Sequence, residues 1–148
     1  MLSTFDAHPG MKVLEVGGGS GWHAAVIAGL VSPGGRVVAI ERIGELAKVA
    51  RENVEAAGLS DRVEVVVGDG SVGYPPEAPY DRISVAAAAP RVPASLIAQL
   101  KRDGGRLLVP VGPPSHQELI EVRVEGGSAR QRGLGGCVFV PLVGKEGY

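Results

Sequence analysis

Residues Met11–Trp22 read MKVLEVGGGSGW, a short apolar run followed at once by four glycines and a serine. The apolar run has the length and composition of a buried strand. Beyond it so few side chains remain that the segment must act through its backbone. Glycines let a chain bend sharply and approach a ligand closely, and the start of a following helix turns its free amides toward an anion. Ser20–Val31 has the spacing of such a helix, with Trp22, Ala25, Val26 and Leu30 on the face expected to be buried, and SPGG as its stop. A glycine turn between a strand and a helix belongs to doubly wound sheets, which bind ligands at the carboxyl ends of the strands beside the switch point.

The remaining elements extend this pattern. RVVAIE (Arg36–Glu41) reads as a second strand. Residues 43–57 read as an amphipathic helix with Leu46, Val49, Ala50 and Val54 inward and Gly58 as its stop. RVEVVVGDG (Arg62–Gly70) gives a third strand and a turn, YDRISVAAAAP (Tyr80–Pro90) a fourth strand, and PASLIAQL (Pro93–Leu100) a short helix. GGRLLVPVG (Gly104–Gly112) gives a fifth strand. QELIEVRVEG (Gln117–Gly126) and GGCVFVPLVG (Gly135–Gly144) read as an antiparallel closing pair, because no helical crossover separates them. The sum is an α/β sandwich with a mostly parallel sheet, one domain over residues 1–148.

Bulk composition narrows the functions open to such a fold. The chain has 148 residues, 45% hydrophobic and 21% charged, as in an ordinary globular domain. A formal net charge of -1 argues against nucleic acid as an obligatory partner, which would call for a basic excess. No apolar stretch approaches the ~18 residues of a membrane span, and the opening residues do not read as a secretory leader. The one cysteine, Cys137, cannot pair within the chain; it reads as a packing residue and fits a reducing cytoplasm.

The glycine turn alone leaves two ligands open. Gly19, Gly21 and Ala24 satisfy the relaxed dinucleotide pattern G-x-G-x-x-A, with Glu41 at the ribose distance, as in a nicotinamide-dependent oxidoreductase. Against this, Glu15 stands inside E-x-G-x-G-x-G, where its carboxylate suits the ammonium group of S-adenosyl-L-methionine. Glu41 at the second strand end can accept both ribose hydroxyls, and Asp69 in GDG at the third can accept from the adenine amine. Any one of these acids could be a solvated strand cap. Three at successive strand ends, one of them flanking the glycines, favour S-adenosyl-L-methionine. The expected cofactor set is Glu15, Gly17, Gly18, Gly19, Gly21, Glu41, Arg42, Asp69 and Gly70. His23 reads as a partly exposed helix residue or a cofactor neighbour. Arg42 and Arg91 read as solvated strand-end charges or as attractors of an acidic acceptor, and His8 and His116 lack metal-ligand spacing.

From Met11 onward the chain also resembles the protein-L-isoaspartate O-methyltransferase family. The resemblance is carried by VLEVGGGSGW, VVAIERIGELA, VVVGDGSVGYPPEAPYDRISVAAAAPRVP, LIAQLKRDGGRLLVPVG and FVPLVGKEGY; the GDG…GYP…APYDRI block and the terminal FVPLVGKEG are more specific than the glycines. It implies a Rossmann-like class I methyltransferase sandwich. It also implies transfer of a methyl group from S-adenosyl-L-methionine to isoaspartyl carboxylates of damaged proteins, with S-adenosyl-L-homocysteine as product. The AAAAP loop (Ala86–Pro90) and Val140–Leu142 would line the acceptor pocket, with Ala87, Ala88, Pro90 and Leu142 as its residues. A carboxylate acceptor is already ionised at neutral pH, so no general base is required and an inert loop suffices. Family members carry an N-terminal helical segment with a Q-T-I-S-like motif, and MLSTFDAHPG does not match it. This leaves a shortened cofactor-binding protein without turnover, or a methyltransferase with another acceptor, as the alternatives. With about ten residues before the first strand, one apolar sheet face is expected to stay uncovered and to favour self-association.

Overall fold

The computed structural model describes residues 2–148. Seven strands form one sheet: β1 (Lys12–Val16), β2 (Arg36–Glu41), β3 (Val63–Val67), β4 (Arg82–Val85), β5 (Gly105–Val111), β6 (Gln117–Glu125) and β7 (Ser128–Cys137). Their order is β3-β2-β1-β4-β5-β6-β7. The first five run parallel, and β6 and β7 return antiparallel. The helices are α1 (Leu2–Phe5), α2 (Trp22–Leu30), α3 (Gly44–Ala56) and α4 (Ala94–Ala98). β2 and β4 flank β1 on opposite sides, so the connections leaving β1 and β4 diverge and open a crevice above the carboxyl end of β1.

Each sheet face has its own core. On one, Leu14, Val16, Ile83, Val85, Leu107 and Val109 pack with Tyr80, Leu96 and Leu100. On the other, Val13, Val37, Ala39, Val63 and Val65 meet Ala24, Ile27 and Ala28 of α2 and Ala47, Ala50 and Val54 of α3. The alanines bring α3 close against the glycine turn. At Gly21 (φ 84) an added Cβ would lie 3.0 Å from the Ala50 carbonyl oxygen.

Helical spacing placed both apolar faces slightly wrong. Trp22 was expected inward and is 70% exposed, and Leu46 and Val49 also face outward. The buried stripe of α2 is Ala24, Ile27 and Ala28, and that of α3 is Ala47, Ala50 and Val54. Small residues face the sheet because the helices sit tightly on it, which leaves larger apolar side chains for the rim.

The last strand is also displaced. It was expected over Gly135–Gly144 and runs instead over Ser128–Cys137. The two-residue turn Gly126–Gly127 (φ 56 and 80) pairs Glu125 with Ser128 and so fixes the register of the hairpin. β7 is a mostly exposed edge strand, so turn geometry outweighed apolarity in placing it.

The sheet face expected to be bare and apolar is partly covered and largely polar. Phe5 of α1 is buried in the second cluster beside Leu108. Across the neighbouring strands, Arg82, Arg106, Arg123 and Arg130 stand in one register row. Arg82 Nε donates to the Phe5 carbonyl at 2.8 Å and Arg106 Nη1 to the Thr4 carbonyl at 2.9 Å, so the first residues are tied down by arginines. In the next row Glu121 accepts from Arg123 (2.8 Å) and pairs with Arg132 (3.2 Å). An apolar-face argument for self-association therefore does not hold.

The contact between Gly21 and Ala50 yields a stability prediction. Gly21→Ala would add both left-handed backbone strain and a clash, and should lower the unfolding free energy by about 1–3 kcal/mol in denaturant titration. An unchanged midpoint would show that α3 can retreat without cost.

Candidate functional site

The crevice above β1 is a cavity of about 340 Å³, within the range of small-molecule sites. One wall is the glycine turn. Gly17 and Gly18 amides both donate to the Ile40 carbonyl, at 2.9 and 3.3 Å, and the Gly21 amide donates to the Gly18 carbonyl at 2.9 Å. Gly17 (φ 83) and Gly19 (φ 51) hold left-handed conformations, and open space lies where a Cβ of Gly19 would point. This is a bare backbone cradle, the use for which glycine is suited.

Glu41 forms the second wall. Its Oε2 accepts from the Gly19 amide at 3.0 Å and its Oε1 from the Ile43 amide at 3.2 Å. A carboxylate offers about four acceptor positions, so each oxygen keeps one, on a residue that lines the cavity. The third wall is the chain after β7. The Ala88 amide donates to the Val140 carbonyl (2.7 Å) and the Leu142 amide to the Ala88 carbonyl (2.8 Å), stitching the AAAAP loop to that tail. Val140–Val143, Ala86, Ala87, Val16, Ile40, Ile43 and Leu46 make the lining mainly apolar, with Glu41 and Arg42 as its charged members.

Of the residues expected in the site, Gly17, Gly19, Glu41, Arg42, Gly70, Ala87 and Leu142 line this cavity. Gly18 and Gly21 stand behind it, against Ala39 and Ala50. Ala88 is buried and contributes backbone bonds, while Pro90 is exposed and lies away from the lining. Ile43 and Leu46 were missed as lining residues; the signal was a pair of large apolar residues at the start of α3, of which helical spacing had assigned Leu46 to the core.

Glu15 and Asp69 are both bonded elsewhere. Glu15 is 1% exposed beneath the glycine turn, with Oε1 3.2 Å from His23 Nδ1 and Oε2 without a partner. Burial pushes its carboxyl pKa up, against the lowering effect of His23. For Asp69, burial opposes ionisation, but the Lys145 amide and the Ser71 hydroxyl and amide outweigh it and hold the carboxyl below its usual value. Its Oδ1 takes both Ser71 donors and its Oδ2 takes the Lys145 amide, which leaves one acceptor position on Oδ2.

The model of the protein-L-isoaspartate(D-aspartate) O-methyltransferase family matches residues 1–147. The chain belongs to this family. It is 57% identical, over its whole length, to the protein-L-isoaspartate O-methyltransferase of Methanopyrus kandleri and covers 66% of that protein. To the protein of the same name from Aeropyrum pernix it is 53% identical, covering 57% of it. The chain thus spans two thirds or less of the length of these curated relatives. A solved protein-L-isoaspartate O-methyltransferase superposes with a TM-score of 0.89 at 33% identity, over 98% of this chain and 45% of that one. A SAM-dependent O-methyltransferase from Thermotoga maritima does so at 0.64 and 31%, over 76% of this chain and 41% of that one. The fold is the Rossmann-like methyltransferase sandwich that the family resemblance implies.

The raised pKa of Glu15 predicts a particular pH dependence. A carboxyl whose folded pKa is raised contributes stability that is complete below its unfolded pKa and is lost as the pH climbs through the folded value. Glu15→Gln cannot ionise. Its unliganded thermal midpoint should therefore fall less than that of the wild type as pH rises from the carboxylate range to mildly alkaline. Parallel midpoint curves in scanning calorimetry would refute the assignment.

Proposed function

We propose that this chain binds S-adenosyl-L-methionine and methylates isoaspartyl carboxylates of damaged proteins or peptides in the cytoplasm, as one domain over residues 1–148. The observation that carries this reading is the cavity bounded by the glycine turn, Glu41 and Val140–Val143. It lies at the switch point of a chain 57% identical to a curated protein-L-isoaspartate O-methyltransferase. The open space beside Gly19 and the free acceptor positions of Glu41 fit a ribose-bearing cofactor.

When bound, S-adenosyl-L-methionine supplies an electrophilic methyl group on a sulfonium, which a carboxylate oxygen takes in an in-line displacement that leaves S-adenosyl-L-homocysteine. Glu41, with Gly17, Gly19 and Gly70, would hold the ribose and adjoining parts; Asp69 keeps one acceptor position for an adenine amine. Ala86, Ala87 and Leu142 would shape the acceptor side. The isoaspartyl carboxylate is already ionised at neutral pH, so the apolar walls need neither acid nor base: they align the reactants and keep water out. Arg42, at the cavity edge, supplies a positive charge for an anionic acceptor. Among the described residues no helix is long and apolar enough to cross a membrane, and no group of three or more His, Cys, Asp or Glu could hold a metal ion.

Incubation with methyl-labelled cofactor and an isoaspartyl peptide should yield a base-labile methyl ester. Cofactor binding without ester would reduce the chain to a binding protein, and titration with a reduced nicotinamide nucleotide should give no fluorescence change. Glu41→Ala should weaken S-adenosyl-L-homocysteine binding in calorimetry by about tenfold to a hundredfold, since each hydrogen bond to a charged group contributes about 1.5–3 kcal/mol. Unchanged affinity would remove Glu41 from the site.

A further inference from the structure

Beyond Cys137 the chain crosses the carboxyl edge of the sheet as an irregular tail, residues 138–148, with three main anchors and a further bond from α4. Gln117 clamps its start: the side-chain amide donates to the Phe139 carbonyl (3.0 Å), and Oε1 accepts from the Phe139 amide (2.7 Å). The Ala88 backbone binds Val140 and Leu142 in the middle. The third anchor lies past the cavity wall, at the turn after β3. There the Ser71 hydroxyl donates to Asp69 Oδ1 at 2.6 Å and accepts from the Glu146 amide at 3.0 Å, while the Lys145 amide donates to Asp69 Oδ2 at 2.8 Å. The tail then closes on itself, with the Tyr148 amide donating to the Leu142 carbonyl at 2.7 Å, and Glu146 Oε1 accepts from the Ser95 amide at 3.2 Å.

Ser71 is fully buried in the single 3-10 turn Gly70–Val72 that follows β3. Its hydroxyl donates and accepts at once, which alanine cannot do. Gly144 passes directly against the pair, and a Cβ there would collide with Asp69 Oδ1 and Ser71 Oγ. One carboxylate, Asp69, therefore lies between the tail and the turn whose Gly70 lines the cavity.

We propose that Ser71 is a positioning residue for the methyl acceptor: by tying Asp69 to the Glu146 amide it holds Val140–Val143 as the acceptor-side wall. This rests on the methyltransferase reading; because Ser71 also adjoins Gly70 and bonds Asp69, on the cofactor side, the test reads cofactor affinity beside the acceptor KM. The test compares wild type with Ser71→Ala and, from the opposite side of the contact, Gly144→Ala.

Hydrogen exchange read by mass spectrometry should show exchange of residues 138–148 rising by about tenfold in each variant, as expected for losing one or two hydrogen bonds. Affinity for S-adenosyl-L-homocysteine and KM for S-adenosyl-L-methionine should stay within about twofold, while KM for the isoaspartyl peptide rises about tenfold. Unchanged tail exchange in both variants would overturn the anchoring role. A parallel loss of cofactor affinity would overturn the acceptor-side role and make the turn part of the cofactor site. Absence of ester from the wild type would overturn the activity itself, with tail exchange still deciding whether Ser71 anchors the wall.

Discussion

The bond from the Gly19 amide to the Glu41 carboxylate is the interaction on which the site depends. It joins the turn after β1 to the end of β2, beside the Gly17 and Gly18 amides that donate to the Ile40 carbonyl. With Glu41 also holding the Ile43 amide, one carboxylate fixes the glycine turn and the approach to α3 together. The sheet order makes this possible: β1 has β2 on one side and β4 on the other, so its carboxyl end is where the layers part. A charged acceptor bonded to backbone amides is stronger than a neutral one. The same residue can therefore fix the walls and still have acceptor positions for a ligand.

Buried charge recurs on the sheet face behind that crevice and has a different purpose there. Glu15, Ser84 and Glu121 each leave a buried oxygen without a partner, and all three stand on the α2 and α3 side of their strands. Groups of this kind destabilise a core unless they are paired. Here they are partly offset by His23 for Glu15 and by Arg123 and Arg132 for Glu121. Arg82 is better provided for, with bonds to the Phe5, Asp6, Asp81 and Gly104 carbonyls. Arg82 and Arg106 thus anchor α1 and the β4–β5 end of the sheet through backbone oxygens, alongside the packing of Phe5.

What the sequence made legible was the backbone order and the glycine-lined end of β1. β2 was read to the residue, and β1, β4 and β5 lie within their expected stretches, because strands buried on both faces leave largely apolar runs; β3, an edge strand with Glu64 and Val67 exposed, was still legible from its valines. β7 could not be read that way. Its residues are polar and exposed, its position follows from the Gly126–Gly127 turn, and the apolar VFVPLV looked more strand-like than the strand itself. In the site, Glu41 was legible as a strand-end acid near the glycines, and it lines the cavity. The partners of Glu15 and Asp69 were not, since His23 and the Lys145 amide reach them only through the tertiary fold.

The displaced apolar segment explains what those side chains are for. Ile43, Leu46, Val140 and Val143 are all substantially exposed, and all line the cavity. Folding gains little from leaving them in water, whereas the core of α3 is made of alanines and one valine that pack closely on the sheet. A rim of large apolar residues around a cavity gains most when a ligand covers it. The tail starts where β7 ends at Cys137, in a register set by the Gly126–Gly127 turn together with the irregularity between Glu118 and Ile120. The cavity wall Val140–Val143 is therefore placed by the hairpin on one side and by the bonds of Asp69 and Ser71 to the tail on the other.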